Sequence, residues 1–172
     1  MIKRFERILF CTDMSQEAWR WFEYALGLGT CFQASIVIIH ILEEPLRPGH
    51  KSLLQEILGE HYHTVQTRKE DQAKAALIGK EKEAYRLRKA MEEWFHSQLS
   101  QTGDDGQQGL IEDIVIRRGD DVPGEILSVA QERGCDLIVM GLKSGRRSTV
   151  SVVMDKTGIP VFVVPSDARI KT

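Results

Sequence analysis

No apolar run in this 172-residue chain approaches the ~20 residues that a membrane-spanning helix needs. Cysteine is scarce. Cys11, Cys31 and Cys135 have no short spacing between them, which argues against a disulfide framework and against a cysteine-built zinc site. Charge of one sign is missing too: 23 Lys and Arg face 25 Asp and Glu, for a net charge of −2. Without a global basic field, nucleic acid is not expected as the main partner. The opening Met1-Ile2-Lys3-Arg4-Phe5-Glu6-Arg7 lacks the apolar core and small-residue cleavage site of a signal peptide. The expected home is a reducing cytoplasm.

What is present is an ordinary globular composition, 42% hydrophobic and 28% charged, at a length that suits one well-cored domain and not two. Ile8-Leu9-Phe10-Cys11 reads as a short strand buried on both faces. Thr12-Asp13-Met14-Ser15 follows it, with side chains able to cap a helix. Ala18, Phe22, Ala25, Leu26 and Gly29 then recur at helical spacing, and the helix is expected to stop at Gly27-Leu28-Gly29. Ile36-Val37-Ile38-Ile39-His40-Ile41 is a second buried strand.

Beyond Glu43-Glu44-Pro45 the pattern from 51 to 100 is helical. Ala84, Leu87, Met91, Trp94, Phe95 and Gln98 mark one long face, while 53–77 reads as an inserted helical segment or flap. The Gly103-to-Gly109 stretch is a loop by composition. Ile114-Val115-Ile116 is a third strand. A helix follows it, carrying Val122, Ile126, Leu127 and Ala130, with Pro123 in its first turn and Gly134 at its end. Leu137-Ile138-Val139-Met140 and Val161-Phe162-Val163-Val164 are the fourth and fifth strands, separated by a loop and a short helix.

Strands alternating with helices imply right-handed βαβ units and a parallel sheet. Such sheets bind ligands beyond the carboxyl ends of their strands, where the strand order switches. Thr12-Asp13, His40-Ile41 and Gly141 all fall at strand ends of this kind.

The chain here resembles the universal stress protein family, along nearly its whole length. Ile8 to Ser15 resembles the family's first strand and Asp-x-Ser turn, and Ala34 to Ile41 its second strand with its histidine. Gly134-Cys135-Asp136-Leu137-Ile138-Val139-Met140-Gly141 is similar to the segment Gly-x-Asp-Leu-Ile-Val-Met-Gly, and Ile159 to Val164 to the closing strand. The resemblance implies one three-layer Rossmann-like domain over 1–172, of the adenine-nucleotide alpha hydrolase-like kind, with an inserted helical segment at about 45–80. It also implies a five-stranded parallel sheet in the order 3-2-1-4-5 and a homodimer through the last strand. In many members the fold holds ATP or AMP. Carried onto this chain, the nucleotide-binding positions are Thr12, Asp13, Ile41, Met140, Gly141, Gly145, Ser148, Thr149 and Val150.

This chain departs from the family in its phosphate loop, which in nucleotide-binding members reads Gly-x-x-Gly, nine residues, then Gly-Ser/Thr. Here Gly141 is followed by Leu142-Lys143-Ser144-Gly145, one residue longer, and only Arg146-Arg147 precede Ser148-Thr149-Val150. About eight residues are missing relative to the family spacing. Two readings of 141–149 follow. Its glycines, hydroxyls and arginines suit a shortened phosphate loop at a helix start. They equally suit a solvated basic turn whose Ser148 caps a helix, and the broken motif tilts the balance to that plainer reading.

Asp13 has the same duality, as a ribose or base acceptor and as a helix cap. His40 reads as a core histidine with its polar tip satisfied, not a catalyst. His61 and His63, two apart, diverge on a helix and cannot share a metal. Glu43-Glu44 and Asp104-Asp105 read as solvated loop charges, and Trp19, Trp94, Phe22 and Phe95 as core aromatics. Adenylate-chemistry signatures such as His-x-Gly-His and Ser-Gly-Gly-x-Asp-Ser are absent. The expectation is therefore a regulatory module without catalytic residues, with weak ATP hydrolysis left open. Its alternative is a nucleotide-free dimer of the same fold that works through protein partners.

Overall fold

Five parallel strands make one sheet in the order β3-β2-β1-β4-β5: β1 (Arg7–Thr12), β2 (Ser35–Leu42), β3 (Ile111–Arg118), β4 (Leu137–Leu142) and β5 (Val161–Pro165). Among the described residues four helices accompany them: α1 (Gln16–Phe32), α2 (Lys74–Thr102), α3 (Val122–Glu132) and α4 (Arg147–Lys156). The computed structural model describes residues 4–42, 74–102, 107, 109–142 and 147–166. Most of the insertion expected at about 45–80 therefore lies outside the described residues, as do Glu43-Glu44, His61, His63 and Asp104-Asp105. From Lys74 onward that segment is the start of α2.

Because successive side chains of a strand point to opposite faces, each central strand supplies two cores. Ile8, Phe10, Ile36, Ile38, Leu137 and Val139 face α1 and α2. Leu9, Val37, Ile39, Ile138 and Met140 face α3 and α4. The result is the three-layer architecture expected from the strand and helix pattern. Each of these fully buried side chains contributes about 1.5–3 kcal/mol of transfer free energy.

α2 buries Leu87, Met91, Phe95 and Leu99, one residue per turn. Its aromatic contacts with α1 are close: Phe22 and Phe95 rings lie 4.7 Å apart, and Trp19 and Trp94 meet edge-on at 5.6 Å. Edge-to-face pairs of this kind match the ring quadrupoles. α3 begins at Asp121, whose Oδ1 accepts from Gly124 N–H at 3.1 Å, and the left-handed Gly134 follows its last turn.

The expected end of α1 at Gly27-Leu28-Gly29 is corrected. The helix runs on to Phe32 and terminates at Gln33, which is left-handed at φ 55° and donates its N–H to Gly29 O. Gly29 is glycine for close approach: a Cβ there would come within 3.2 Å of Ala34 O and of Ile36 Cδ1. The residue breaks no hydrogen-bond ladder; it lets α1 descend onto the start of β2.

The two sheet edges differ in kind. Every charged side chain of β3 is tied to another part of the domain: Glu112 to Arg7, Asp113 to Arg88 and Arg133, Arg117 to Glu132, and Arg118 to Glu83. Asp113 Oδ1 also accepts the N–H of Ile114 at 2.8 Å. β5 carries no charge at all, and Phe162 is partly exposed on it.

Candidate functional site

The strand register brings the predicted positions to one end of the sheet. Thr12 pairs with His40 and Cys11 with Met140, so Asp13 leaves β1 level with Ile41 on one side, and Thr12 is level with Gly141 on the other. β1 sends α1 to one face and β4 sends α4 to the other, so the switch in strand order lies between them. This crevice is where doubly wound sheets place ligands.

The turn after β1 is over-determined. Thr12 Oγ1 accepts from Met14 N–H at 3.0 Å, and Asp13 Oδ1 accepts from Ser15 N–H at 3.0 Å. Between them Met14 is left-handed at φ 57°, a conformation that costs a non-glycine residue about 1 kcal/mol. Its side chain is buried, so packing and two hydrogen bonds hold the strain in place. The helix cap belongs to Ser15 and not to Asp13; the carboxylate braces the cap residue instead. Ser15 Oγ is itself buried with no hydrogen-bond partner among the described residues. A buried orphan hydroxyl costs about 1–3 kcal/mol.

His40 is 2% exposed, and its Nδ1 lies 3.0 Å from Thr12 O. A carbonyl oxygen only accepts, so Nδ1 carries the proton and the ring ties the carboxyl ends of β1 and β2 together. Its role is to hold the backbone between Asp13 and Ile41.

Ile41 and Met140 are buried, so their side chains belong to the core and only their main chain borders the crevice. Val150 likewise packs into the layer beneath α3 and α4. Gly141 has a structural reason that its sequence motif did not disclose. A Cβ on it would overlap Cδ2, Cε3 and Cε2 of Trp21, well inside the 3.0 Å that real Cβ atoms keep. Gly145 lies outside the described residues. Ser148 and Thr149 fall in the first turn of α4, which begins at Arg147, so Ser148 is inside the helix and does not precede it as a cap.

The thiols are quiet. Burial pushes the Cys11 thiol well up, and it raises Cys135 to about 11, against a partial lowering by Arg7. Both pack in the second core, as their place in apolar runs implied, and at Cys135 burial outweighs the lowering by Arg7 and Arg133.

A family model described as the universal stress protein family matches residues 4–165. The chain belongs to the universal stress protein family. Solved structures agree on the fold. A universal stress protein from Lactobacillus plantarum superposes with a TM-score of 0.59 at 22% identity, over 95% of this chain and 99% of that one. A family protein from Burkholderia pseudomallei gives 0.54 at 20% identity, over 93% and 96%. One from Archaeoglobus fulgidus gives 0.53 at 21% identity, over 93% of this chain and 44% of its own. A search among curated proteins finds no match. The strand order expected from the resemblance, 3-2-1-4-5, is the order the sheet has. No helix among the described residues is long and apolar enough to cross a membrane.

Proposed function

We propose that this universal stress protein is a regulatory module, not a catalyst, that works as a homodimer and takes an adenine nucleotide, ATP or AMP, at the carboxyl ends of β1, β2 and β4. The observation that carries the reading is the register: it sets Asp13, the main chain of Ile41 and Gly141 side by side at the switch point, with α4 starting just beyond. The Asp13 carboxylate offers an acceptor for a ribose or base edge. The first N–H groups of α4 supply positive potential for phosphate, and the sequence Arg146-Arg147 adds two cationic residues to this stretch of chain. The contrast between a charged β3 edge and an uncharged β5 edge supports pairing of two copies through β5.

The second reading is a nucleotide-free dimer that acts through protein partners. Two observations favour it: the shortened 141–149 segment, and the fact that Gly141 is accounted for by Trp21 alone.

Mass spectrometry of small molecules released from freshly purified protein separates the two. A stoichiometric adenine nucleotide supports the first reading, and a clean spectrum with no heat of binding for ATP or AMP supports the second. If phosphate is held by charge instead of by a glycine cradle, binding weakens steeply with salt. The Arg146→Ala, Arg147→Ala double variant then loses ATP affinity and keeps adenosine affinity.

A further inference from the structure

Among the described residues, Thr12 and His40 are the only buried polar side chains. They stand opposite each other in the register of β1 and β2, at the carboxyl end of the sheet. The rest of the buried core is apolar, and a polar group is costly there unless it is hydrogen-bonded. Both are bonded, and both bonds lead to the turn that carries Asp13. His40 donates its Nδ1–H to Thr12 O at 3.0 Å, and Thr12 Oγ1 accepts from Met14 N–H at 3.0 Å. Asp13 lies between those two residues and accepts from Ser15 N–H.

The Thr12 carbonyl does not need the histidine to be satisfied. Ser35 N–H donates to Glu6 O where Arg7 pairs with Ser35, so the same ladder brings Ile41 N–H to Thr12 O where Thr12 pairs with His40. The imidazole therefore adds a second bond, and with it a direction, to a group the sheet already pairs. An apolar side chain would fill the same space without burying a polar ring. We propose that His40 is a positioning residue for nucleoside binding: through Thr12 it fixes where β1 ends and so aims the Asp13 carboxylate at a ribose or base edge. The inference rests on the nucleotide reading above and concerns only the nucleoside half of that ligand. The left-handed Met14 makes the turn a conformation that persists only where its surroundings hold it, and His40 holds it from the neighbouring strand.

Calorimetry with adenosine and amide hydrogen exchange, both on the full chain, test this. His40→Leu removes the donor and keeps an apolar filling. It should melt cooperatively and weaken adenosine about 10-fold, the loss from one misaimed hydrogen bond to a charged group. His40→Asn, whose Nδ2 falls near the place of Nδ1, should recover most of that affinity although it fills the space less well. In an Asp13→Ala background, His40→Leu should cost no further affinity, because the histidine acts through that carboxylate. The amides of Met14 and Ser15 should exchange faster in His40→Leu, and that of Phe10, in the body of β1, should not.

A histidine that served only the core would lower stability and leave the adenosine affinity of the folded variant unchanged. That result overturns the proposal and leaves the nucleotide reading standing. So do losses that simply add in the double variant, and so does unaltered exchange at Met14 and Ser15. If His40→Leu does not fold, the same comparison is made with His40→Phe and His40→Asn. Failure of the wild type to bind adenosine is seen before any variant is made, and it removes the nucleotide reading and this proposal together.

Discussion

Arg7 Nε donates to Glu112 Oε2 at 2.8 Å, so β1 is tied to the edge strand β3 across the intervening β2. Ser35, at the start of β2, donates its hydroxyl to the same carboxylate oxygen at 2.5 Å. Three adjacent strands are pinned together at their amino ends by one side chain. Asp136 reinforces the pin by accepting the N–H groups of Glu6 and Arg7 at 2.9 and 3.1 Å.

The first prediction concerns acid. The Ser35 hydroxyl and then Arg7 hold the Glu112 carboxyl below its usual range, so the folded state binds its proton less readily than the unfolded state. The stability gained is present at neutral pH and is lost as pH falls through the folded value, below about 4.3. Glu112→Gln should therefore be less stable than wild type at pH 7, with the gap closing near pH 3. The carboxylate is 40% exposed, so solvent screening limits the gap to about 1 kcal/mol or less. Urea melts at the two pH values measure it.

The second prediction uses the end of α1. Gln33 is exposed and left-handed, a conformation that favours glycine. Gln33→Gly should raise stability by about 1 kcal/mol, and Gln33→Ala should not. Thermal melts of both variants decide it; no gain for the glycine variant would mean that Gln33 carries no strain.

The third concerns Asp13. Asp13→Ala removes a ligand acceptor and the brace on the Ser15 N–H together. Adenosine and ATP should weaken alike, by about 1–3 kcal/mol, the range for a hydrogen bond to a charged group. Stability should fall by about 1 kcal/mol, the range for a lost cap interaction. Unchanged affinity in a folded variant would remove Asp13 from the site.

The fourth concerns the free edge. Phe162→Lys places a charge on β5 beside the Tyr24 ring, which lies 6.3 Å from that of Phe162. Light scattering at roughly 10–50 µM, where edge-joined dimers persist, should show a dimer for the wild type and a monomer for the variant. A wild-type monomer would overturn pairing through β5.

Much of the fold could be read from the sequence because buried parallel strands leave continuous apolar runs. Ile36 to Ile41 and Leu137 to Met140 needed no partner to be recognised. Gly29 misled because a glycine that permits close packing looks, in sequence, like one that ends a helix. Gln33, the actual terminus, carries no signal, since its left-handed backbone is imposed by the descent into β2. The crevice was legible as strand ends, but its walls were not. The contact of Trp21 with Gly141 joins residues far apart in the chain, and an aromatic at a helical position announces only that it is buried. The unpartnered Ser15 hydroxyl was equally hidden, because burial of a single oxygen depends on everything packed around it.

The inequality of the two sheet edges reaches past pairing to the size of the assembly. A chain whose two edges were both bare could join head to tail, each copy offering the edge that the next one needs, and such a series has no natural end. Charged side chains along β3 disfavour a neighbour there, and β5 carries none, so β5 is the edge that favours pairing. Two copies that meet through β5 use up the open edge of both, and growth of the sheet stops at ten strands.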